Sequence, residues 1–317
     1  MKNHILVSII IPFYNTEKYI HSCLNSVLQQ DWPFIEIICI NDGSTDKTKD
    51  ILDNYASKED RITVYHKINE GAAIARSYGV SKASGDYVMF VDSDDTIISN
   101  AVSSMVKIIL EDRNVDIVVS GFNIIKNNKV VRKFSTNFTS FNNIEYLRNV
   151  LTGKCGMELC AKLFKKNLFD ANIVIPDIKI GEDAYVLMQL INNSSLIKFI
   201  PFPIYNYIQN LSSATHTKSI KYVEDTLLAG VIIEKYLSNQ TYYASIKRYV
   251  DCLHLLLYSN STRRGYVDLK NKYVANIINN HYSVSALRLI SLKKALYIFF
   301  LLKCNGHKLL KLYHNLF

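Results

Sequence analysis

The segment Tyr87-Val88-Met89-Phe90-Val91-Asp92-Ser93-Asp94-Asp95 places an apolar run directly before three carboxylates. Its first five residues contain neither glycine nor proline, and their β-forming side chains predict one short, buried strand. A buried carboxylate is costly unless a cation compensates its charge. The aspartates at the end of this strand therefore indicate a binding site rather than part of the core.

The chemistry of this predicted site has two interpretations. Carboxylate oxygens suit hard divalent cations such as Mg²⁺ and Mn²⁺, which often bridge to phosphate groups. Ligands of open α/β sheets bind beyond the carboxyl ends of the strands, where these aspartates would lie. Alternatively, residues 93–96 form a turn in which an aspartate caps the next helix. The segment alone leaves both interpretations open.

Strand and helix patterns alternate on both sides of this segment. Strand-like apolar runs occur at residues 6–12, 35–40, 62–65 and 116–120, with helical periodicity between them. This alternation predicts βαβ units, and hence an α/β fold with a mostly parallel sheet flanked by helices. Asn127-Asn128, between β-rich segments, predicts a hairpin. The sequence lacks both the glycine-rich dinucleotide motif and the P-loop motif, so a nucleotide would be bound in another way.

The net charge of +9 is concentrated at the end of the chain, where residues 218–317 hold 15 basic and 5 acidic residues. These residues show helical periodicity, so we predict a domain of residues 1–217 followed by a basic helical region. The apolar run at 295–302 is far shorter than the roughly 20 residues that span a bilayer. Basic helices with aromatic residues suit an anionic membrane surface. Alternatively, they form a helical bundle that covers the catalytic domain, or a homodimer interface. The sequence contains no nucleic-acid recognition module.

The cysteines and the N-terminus indicate a reducing compartment. The six cysteines occur at irregular positions without a C-x-x-C pair, and the first residues do not resemble a signal peptide. We therefore expect reduced thiols and a cytoplasmic location. Peripheral contact with the inner face of the cell membrane would involve the basic helices.

Four segments resemble, in order, the motifs of family 2 glycosyltransferases: residues 7–15 (VSIIIPFYN), 40–46 (INDGSTD), 69–76 (NEGAAIAR) and 91–95 (VDSDD). The resemblance implies the Rossmann-like GT-A fold, with a nucleotide-sugar half at about 1–120 and an acceptor half at about 121–217. It implies a metal-dependent, inverting transferase of hexosyl or N-acetylhexosaminyl type. The donor would be a nucleoside diphosphate sugar, and UDP-sugar is our expectation. The acceptor would be a glycan or lipid-linked glycan in bacterial surface polysaccharide synthesis.

The resemblance also assigns residues to the donor. Those that would contact the nucleotide or its sugar are Pro12, Tyr14, Asn15, Glu17, Asp42, Arg76, Asp92, Ser93 and Ser213. Asp42 would bind the base, and Asp92 would face the ribose. Asp94 would hold Mn²⁺ or Mg²⁺, with Asp92 and His216 as further metal ligands. Ser213 and His216 belong to a loop that follows a tyrosine-rich strand beginning at Tyr205.

Glu182 and Asp183 open an apolar-periodic helix directly after Gly181. Acidic residues in the first turn are stabilised by the helix dipole, so a structural role is sufficient locally. By resemblance, the pair matches the catalytic-base motif of the family, with Asp183 as base and Glu182 contacting sugar or acceptor. Inverting transfer needs such a base to remove the proton of the attacking acceptor hydroxyl.

Two other classes of protein stay open. The loop at 209–216 lacks the arginine that the family often has there, so the chain could instead be a non-catalytic protein that binds sugar nucleotides or serves as a scaffold. A nucleotidyltransferase would also use an α/β sheet and carboxylate-held metal. Such an enzyme usually carries a glycine-rich, basic loop near its N-terminus, whereas this chain has Phe13-Tyr14-Asn15-Thr16.

Overall fold

The computed structural model describes residues 4–135, 137–209, 220–264 and 272–303. The chain divides into two compact units whose segments alternate along the sequence. The first unit consists of Met1–Ile144, Glu158–Ile175 and Gln189–Leu211. The second unit consists of Glu145–Met157, Pro176–Met188 and Ser212–Phe317. The domain boundary between residues 217 and 218 stays a prediction.

The strands of the described chain form one sheet, and all of them belong to the first unit. They are β1 (Val7–Phe13), β2 (Ile35–Asp42), β3 (Ile62–Lys67), β4 (Tyr87–Phe90), β5 (Thr96–Ile97), β6 (Ile117–Lys126), β7 (Lys129–Phe134), β8 (Ser140–Asn142), β9 (Lys162–Lys165) and β10 (Leu196–Ile208). Their order is β3-β2-β1-β4-β9-β6-β10-β5, with β7 beside β6 and β8 beside β10.

The helices follow the predicted alternation. They are α1 (Ile20–Leu28), α2 (Thr48–Ala56), α3 (Ala72–Lys82), α4 (Ala101–Glu111), α5 (Asn143–Leu151), α6 (Glu182–Asn193), α7 (Ile220–Ser238), α8 (Tyr243–Arg264), α9 (Lys272–Asn276), α10 (Val284–Leu287) and α11 (Leu292–Lys303). A 3₁₀ turn spans Lys166–Phe169, and a π-helical turn spans Ile277–His281. The α/β fold class with a helical C-terminal region is confirmed.

The sheet is parallel only in part. β3, β2, β1 and β4 are parallel neighbours, as the βαβ pattern predicts. β9 then lies between β4 and β6 and is antiparallel to both, so the rest of the sheet is mixed. The hairpin predicted at Asn127-Asn128 joins β6 to β7, and both asparagines have positive φ angles, of 50° and 58°.

Strand β1 lies at the centre of the first unit's core, and only Pro12 among its residues is not fully buried. β4 is buried throughout and is in register with β1, Ile10 opposite Phe90. The backbone N–H of Val91 still donates to the Ile10 carbonyl at 3.1 Å. Asp92 is thus the first residue beyond the paired, apolar part of the strand.

Glu36 on β2 fixes the turn that leads into β4. Its Oε1 accepts hydrogen bonds from Ser8 Oγ at 2.5 Å and from the backbone nitrogens of Ser84 and Gly85 at 2.6 and 3.0 Å. Burial raises the pKa of Glu36, but these hydrogen bonds outweigh burial and lower the pKa below its ordinary value. A Cβ at Gly85 would lie 2.9 Å from the Leu6 carbonyl oxygen, so this close turn requires glycine.

The described cysteines belong to the core. Cys23, Cys39, Cys155, Cys160 and Cys252 are buried and form no disulfide, in agreement with the predicted reduced thiols. Burial raises the pKa of Cys39 above its ordinary value and that of Cys252 to about 12. These two thiols therefore stay protonated near neutral pH and pack as small apolar side chains.

The second unit contains the helical C-terminal region. Its core is built from apolar side chains that include Val223, Leu227, Leu255, Ile277, Ala286, Ile298 and Leu301. Ile298 and Leu301 of α11 belong to this core. Other apolar side chains of α11 are exposed, namely Leu292, Leu296, Phe299 and Phe300. Within the described ranges, no helix combines the length and the apolar character that crossing a membrane requires.

Replacing Glu36 with Gln should lower the free energy of unfolding by about 1–3 kcal/mol near neutral pH, because the turn loses a charged acceptor. Since the folded pKa of Glu36 is lowered, its contribution is full above the unfolded pKa of about 4.3. That contribution is lost as the pH falls through the folded pKa. Urea unfolding of both proteins at neutral and acidic pH measures the difference.

The control for this prediction is Glu111→Gln, which removes an exposed carboxylate at the end of α4. We expect it to change stability by less than about 0.5 kcal/mol. A Glu36→Gln protein as stable as the control near neutral pH would contradict the structural role of Glu36.

Candidate active site

The loops after β1 and β2 are joined by two of the predicted nucleotide-binding residues. Asn15 has a φ of 50°, which asparagine tolerates better than most residues. Its Oδ1 accepts from the backbone nitrogen of Thr45 at 2.8 Å, and its own nitrogen donates to Ser44 Oγ at 3.0 Å. Glu17 Oε2 accepts from the backbone nitrogen of Lys47 at 2.9 Å. Asn15 and Glu17 thus hold two loops together at the carboxyl edge of the parallel strands.

Pro12 and Tyr14 lie at the same edge. Pro12 is partly buried near the end of β1, whereas the side chain of Tyr14, just beyond the strand, is 51% exposed. An exposed aromatic ring beside a polar loop offers a flat apolar surface to a ligand. The position of Tyr14 is therefore compatible with its predicted contact with a nucleotide.

Asp42, at the end of β2, organises the loop between β3 and α3. Its Oδ2 accepts from the backbone nitrogen of Gly71 at 2.8 Å, and its Oδ1 accepts from that of Glu70 at 3.1 Å. Lys67 Nζ also donates to Oδ1, at 3.2 Å. Asp42 is buried, and these bonds compensate its charge. Its predicted hydrogen bond to a base would add to this network.

Asp92 pairs with Arg76 on α3, and this pair was not foreseen. Arg76 Nη2 lies 2.7 Å from Asp92 Oδ1, and the guanidinium is largely buried. Cys160 Sγ lies 3.3 Å from Asp92 Oδ2. Both Arg76 and Asp92 were assigned to the nucleotide from separate motifs. The structure brings them together, so Arg76 supplies the cation that a carboxylate at the end of a buried strand needs.

Asp95 is the buried member of the aspartate cluster. Tyr205 Oη donates to its Oδ2 at 2.7 Å, and the Ile208 backbone nitrogen donates to its Oδ1 at 2.7 Å. Burial, followed by the charges of Asp92 and Asp94, raises the pKa of Asp95 to about 8. The tyrosine-rich pattern at 205–208 was the only sequence signal for Tyr205, and it gave no indication of this partner.

The cluster alternates between accessible and buried side chains. Asp92 and Asp94 are partly exposed, whereas Ser93 and Asp95 are buried. The Asp95 backbone nitrogen closes a turn onto the Asp92 carbonyl at 3.0 Å. β5 follows directly, and the N-cap residue of α4 is Asn100, so the aspartates cap no helix. The turn of the structural alternative is therefore present, whereas its helix cap is wrong.

The donor set of the cluster fits a hard divalent cation. Asp92 and Asp94 offer oxygen ligands at the accessible side of the turn, and oxygen ligands are what Mg²⁺ and Mn²⁺ prefer. After burial, the charges of Asp92 and Asp94 also raise the pKa of Asp95. A divalent cation bound to Asp92 and Asp94 would offset this negative charge.

Glu182 and Asp183 belong to the second unit. Glu182 and Asp183 occupy the first turn of α6, where both are partly exposed. Gly181 precedes them with a φ of 88°, a conformation that favours glycine. Ser213 and His216 lie outside the described residues, so their predicted roles have no structural description.

Residues 8–172 match the glycosyl transferase family 2, and this match covers more than half of the chain. The chain belongs to glycosyl transferase family 2. The matched region contains the sheet edge, Asp42, Arg76 and the aspartate cluster. It ends before Glu182 and Asp183.

Curated members of family 2 from bacteria are similar to this chain. The uncharacterized glycosyltransferase EpsJ of Bacillus subtilis is 32% identical over 219 residues, which are 66% of this chain and 63% of EpsJ. The glycosyltransferase GlyG of Streptococcus pneumoniae is 36% identical over 118 residues, which are 37% of this chain and 39% of GlyG. The chain thus spans less than two thirds of the length of these relatives.

Solved structures share the GT-A fold of family 2. TarS 1-349 of S. aureus in complex with UDP-GlcNAc superposes with a TM-score of 0.69 at 21% identity, covering 93% of this chain and 86% of TarS 1-349. The mannosyltransferase PcManGT of Pyrobaculum calidifontis, in complex with GDP-Man and Mn²⁺, has a TM-score of 0.58 at 16% identity. The superposition covers 100% of this chain and 88% of PcManGT. The predicted family and the GT-A fold are confirmed.

Replacing Tyr205 with Phe should destabilise this family 2 domain by about 1–3 kcal/mol, because buried polar groups lose their partner. The Tyr205 hydroxyl donates to Asp95 and accepts from the backbone nitrogen of Asp92 at 3.1 Å. Chemical unfolding measures the loss. The matched control is Tyr65→Phe, which keeps the ring contact with Tyr78 and should cost less than about 0.5 kcal/mol. Equal stability of the two variants would contradict the bridging role.

Proposed function

We propose that the chain is an inverting glycosyltransferase that moves a sugar from a UDP-sugar to a glycan or lipid-linked glycan acceptor. The observation that carries this proposal is the turn at Asp92–Asp95, which presents Asp92 and Asp94 at the carboxyl end of buried β4. Residues 1–217 would form the catalytic domain. The name of the related TuaG of Bacillus subtilis, a putative teichuronic acid biosynthesis glycosyltransferase, supports a role in surface polysaccharide synthesis.

The donor would bind at the edge formed by the loops after β1, β2 and β4. Tyr14 would contact the nucleobase, Asp42 would hydrogen-bond the base, and Asp92 would face the ribose. Arg76, already paired with Asp92 at 2.7 Å, would hold that carboxylate in one orientation. The UDP-GlcNAc complex of TarS supports uridine, whereas the GDP-Man complex of PcManGT makes guanosine the competing choice.

Mn²⁺ or Mg²⁺ would be held by Asp94, with Asp92 and His216 as further ligands. When bound, the ion would supply a Lewis acid that stabilises the negative charge of the leaving diphosphate. The chain's own contribution is the pair of partly exposed carboxylates of Asp92 and Asp94. Asp95 itself, bonded to Tyr205 and Ile208, would keep the turn in shape.

Proton removal would belong to α6. Asp183 would accept the proton of the acceptor hydroxyl as its oxygen attacks the anomeric carbon, and Glu182 would contact the sugar or the acceptor. A single displacement inverts the anomeric centre. Both carboxylates occupy the first turn of α6, where the helix dipole stabilises negative charge.

The basic C-terminal helices would attach the enzyme to the inner face of the bacterial cell membrane. The exposed apolar residues of α11 recur at helical spacing, at Leu292, Leu296, Phe299 and Phe300. Lys293, Lys294 and Lys303 belong to the same helix. An apolar stripe with adjacent lysines suits a helix that lies in an anionic interface.

Two substitutions should separate binding from chemistry. Asp94→Asn should weaken manganese-dependent UDP binding by about tenfold or more, because a metal ligand loses its charge. Asp183→Asn should leave UDP binding unchanged and lower sugar transfer by about 10²–10⁴-fold, because the base is lost. Calorimetric titration with UDP and GDP, with and without Mn²⁺, and a transfer assay on extracted bacterial glycans measure both effects.

The control is Asp177→Asn, which removes one exposed carboxylate of the second unit outside the family motifs. It should behave like the unmodified chain. Full turnover by Asp183→Asn would remove that residue from its proposed role. Failure of every nucleotide to bind would instead favour the scaffold alternative, and GDP binding in place of UDP would correct the donor.

Membrane contact is tested by flotation with vesicles that contain phosphatidylglycerol, compared with vesicles of phosphatidylcholine alone. The unmodified chain should float with the anionic vesicles, and Leu296→Glu should reduce the bound fraction severalfold because it places a charge in the apolar stripe. Val284→Glu is the matched control, since Val284 is also exposed, at 62%, but belongs to α10. Equal flotation of both variants would contradict the role of α11.

A further inference from the structure

Three side chains of metal-ligating type meet in the second unit, on α7, α8 and the π-helical turn. Glu234 Oε2 lies 3.0 Å from His254 Nε2 and 3.3 Å from His281 Nε2. The three ligand atoms lie within 4.8 Å of one another. In a tetrahedral zinc site with bonds of about 2.0–2.1 Å, neighbouring ligand atoms are about 3.3–3.4 Å apart. The two distances from Glu234 Oε2 are close to this value.

Both imidazoles are removed from solvent. The side chains of His254 and His281 are 1% and 3% exposed, and their rings stack with centroids 3.8 Å apart. Gly230, one turn before Glu234, provides space for this pair, because a Cβ there would lie 3.2 Å from His254 Nδ1.

The second nitrogen of His281 faces a carboxylate. Its Nδ1 lies 2.9 Å from Asp251 Oδ1, so Asp251 orients the ring with Nε2 toward Glu234. A carboxylate behind a histidine in this way is usual for metal-binding histidines. Both nitrogens of His281 face carboxylate oxygens, whereas a neutral imidazole carries one N–H, so a metal ion or a second proton on the Nε2 side would satisfy this arrangement. Lys247 Nζ pairs with the same Asp251 oxygen, Oδ1.

The metal-free alternative has two forms. A proton could occupy His281 Nε2, or Asn276 Nδ2, at 3.3 Å, could donate to it. The Asn276 bond would leave Nε2 and Glu234 Oε2 as two acceptors in contact. Tyr243 Oη donates to Glu234 Oε1 at 2.9 Å and leaves Oε2 for the site.

We propose that Glu234, His254 and His281 bind one divalent transition-metal ion, with Zn²⁺ as the leading candidate, and that Asp251 is a positioning residue for His281. Two imidazoles and one carboxylate suit Zn²⁺ better than Mg²⁺ or Mn²⁺. The fourth position would be taken by water. His281 ends a π-helical turn, a rare conformation that often occurs at functional sites. The ion would tie α7, α8 and this turn together.

The test is Zn²⁺ titration of the full chain after removal of metal with a chelator, by calorimetry and by thermal unfolding. The unmodified chain should bind one equivalent and unfold at a higher temperature with Zn²⁺. Asp251→Asn should reduce the Zn²⁺ affinity by about 10–100-fold. His281→Gln and Glu234→Gln should reduce it at least as much. The visible spectrum with Co²⁺ should report four-coordinate, nitrogen-containing ligation and should be lost in His281→Gln.

Two controls keep the result specific. Asp94→Asn should retain this Zn²⁺ binding, because the carboxylates near β4 are a separate donor set. His66→Gln should also retain it, since His66 Nε2 lies 2.9 Å from Asp53 Oδ1 in an exposed histidine–carboxylate pair. Circular dichroism verifies that each variant is folded. If His281→Gln or Glu234→Gln does not fold, the Zn²⁺ affinity of Asp251→Asn tests the proposal instead. Absence of Zn²⁺ binding by the unmodified chain, or equal binding by His281→Gln and His66→Gln, would overturn the proposal in favour of a protonated network.

Discussion

The first unit depends on compensating negative charge at the end of a buried strand. β4 leads into Asp92, Asp94 and Asp95 at one edge of the sheet, where Asp95 is buried and the other two are partly exposed. The guanidinium of Arg76 compensates the charge of Asp92. Asp95 instead accepts hydrogen bonds from the Tyr205 hydroxyl and from the backbone N–H of Ile208. The turn thus gathers oxygen ligands in one place, an arrangement that suits a divalent cation and, through it, a diphosphate.

Local sequence signals predicted the parts of this arrangement that depend on neighbours along the chain. The apolar runs of β1 to β4 and the turn residues between them specify βαβ units, and four short motifs specify the family. The polar residues were assigned to a ligand, yet Asn15, Glu17 and Asp42 also hold loops through hydrogen bonds to backbone nitrogens. Their dual use explains why the same residues look like ordinary turn formers when each is considered alone.

Contacts between distant parts of the sequence were not predictable in this way. Asp95 and Tyr205 are 110 residues apart, and nothing in the local pattern of either residue indicates the other. The antiparallel insertion of β9 beside β4 is a second example, because four residues of mixed polarity give little strand signal. The cluster of Glu234, His254 and His281 is a third, since its members come from separate helices whose periodicity indicates only a core-facing surface.

The position of β9 has a consequence for the newly made chain. β4 and β6 are separated in the sheet by a strand whose residues, Lys162–Lys165, are synthesised well after both. Until then the apolar edge of β4 has a partner on the β1 side alone, and an unpaired strand edge invites association with other chains. The nascent protein therefore passes through a period in which one edge of β4 is unpaired. Rapid translation through this region, or a chaperone bound to it, would shorten or cover that exposure.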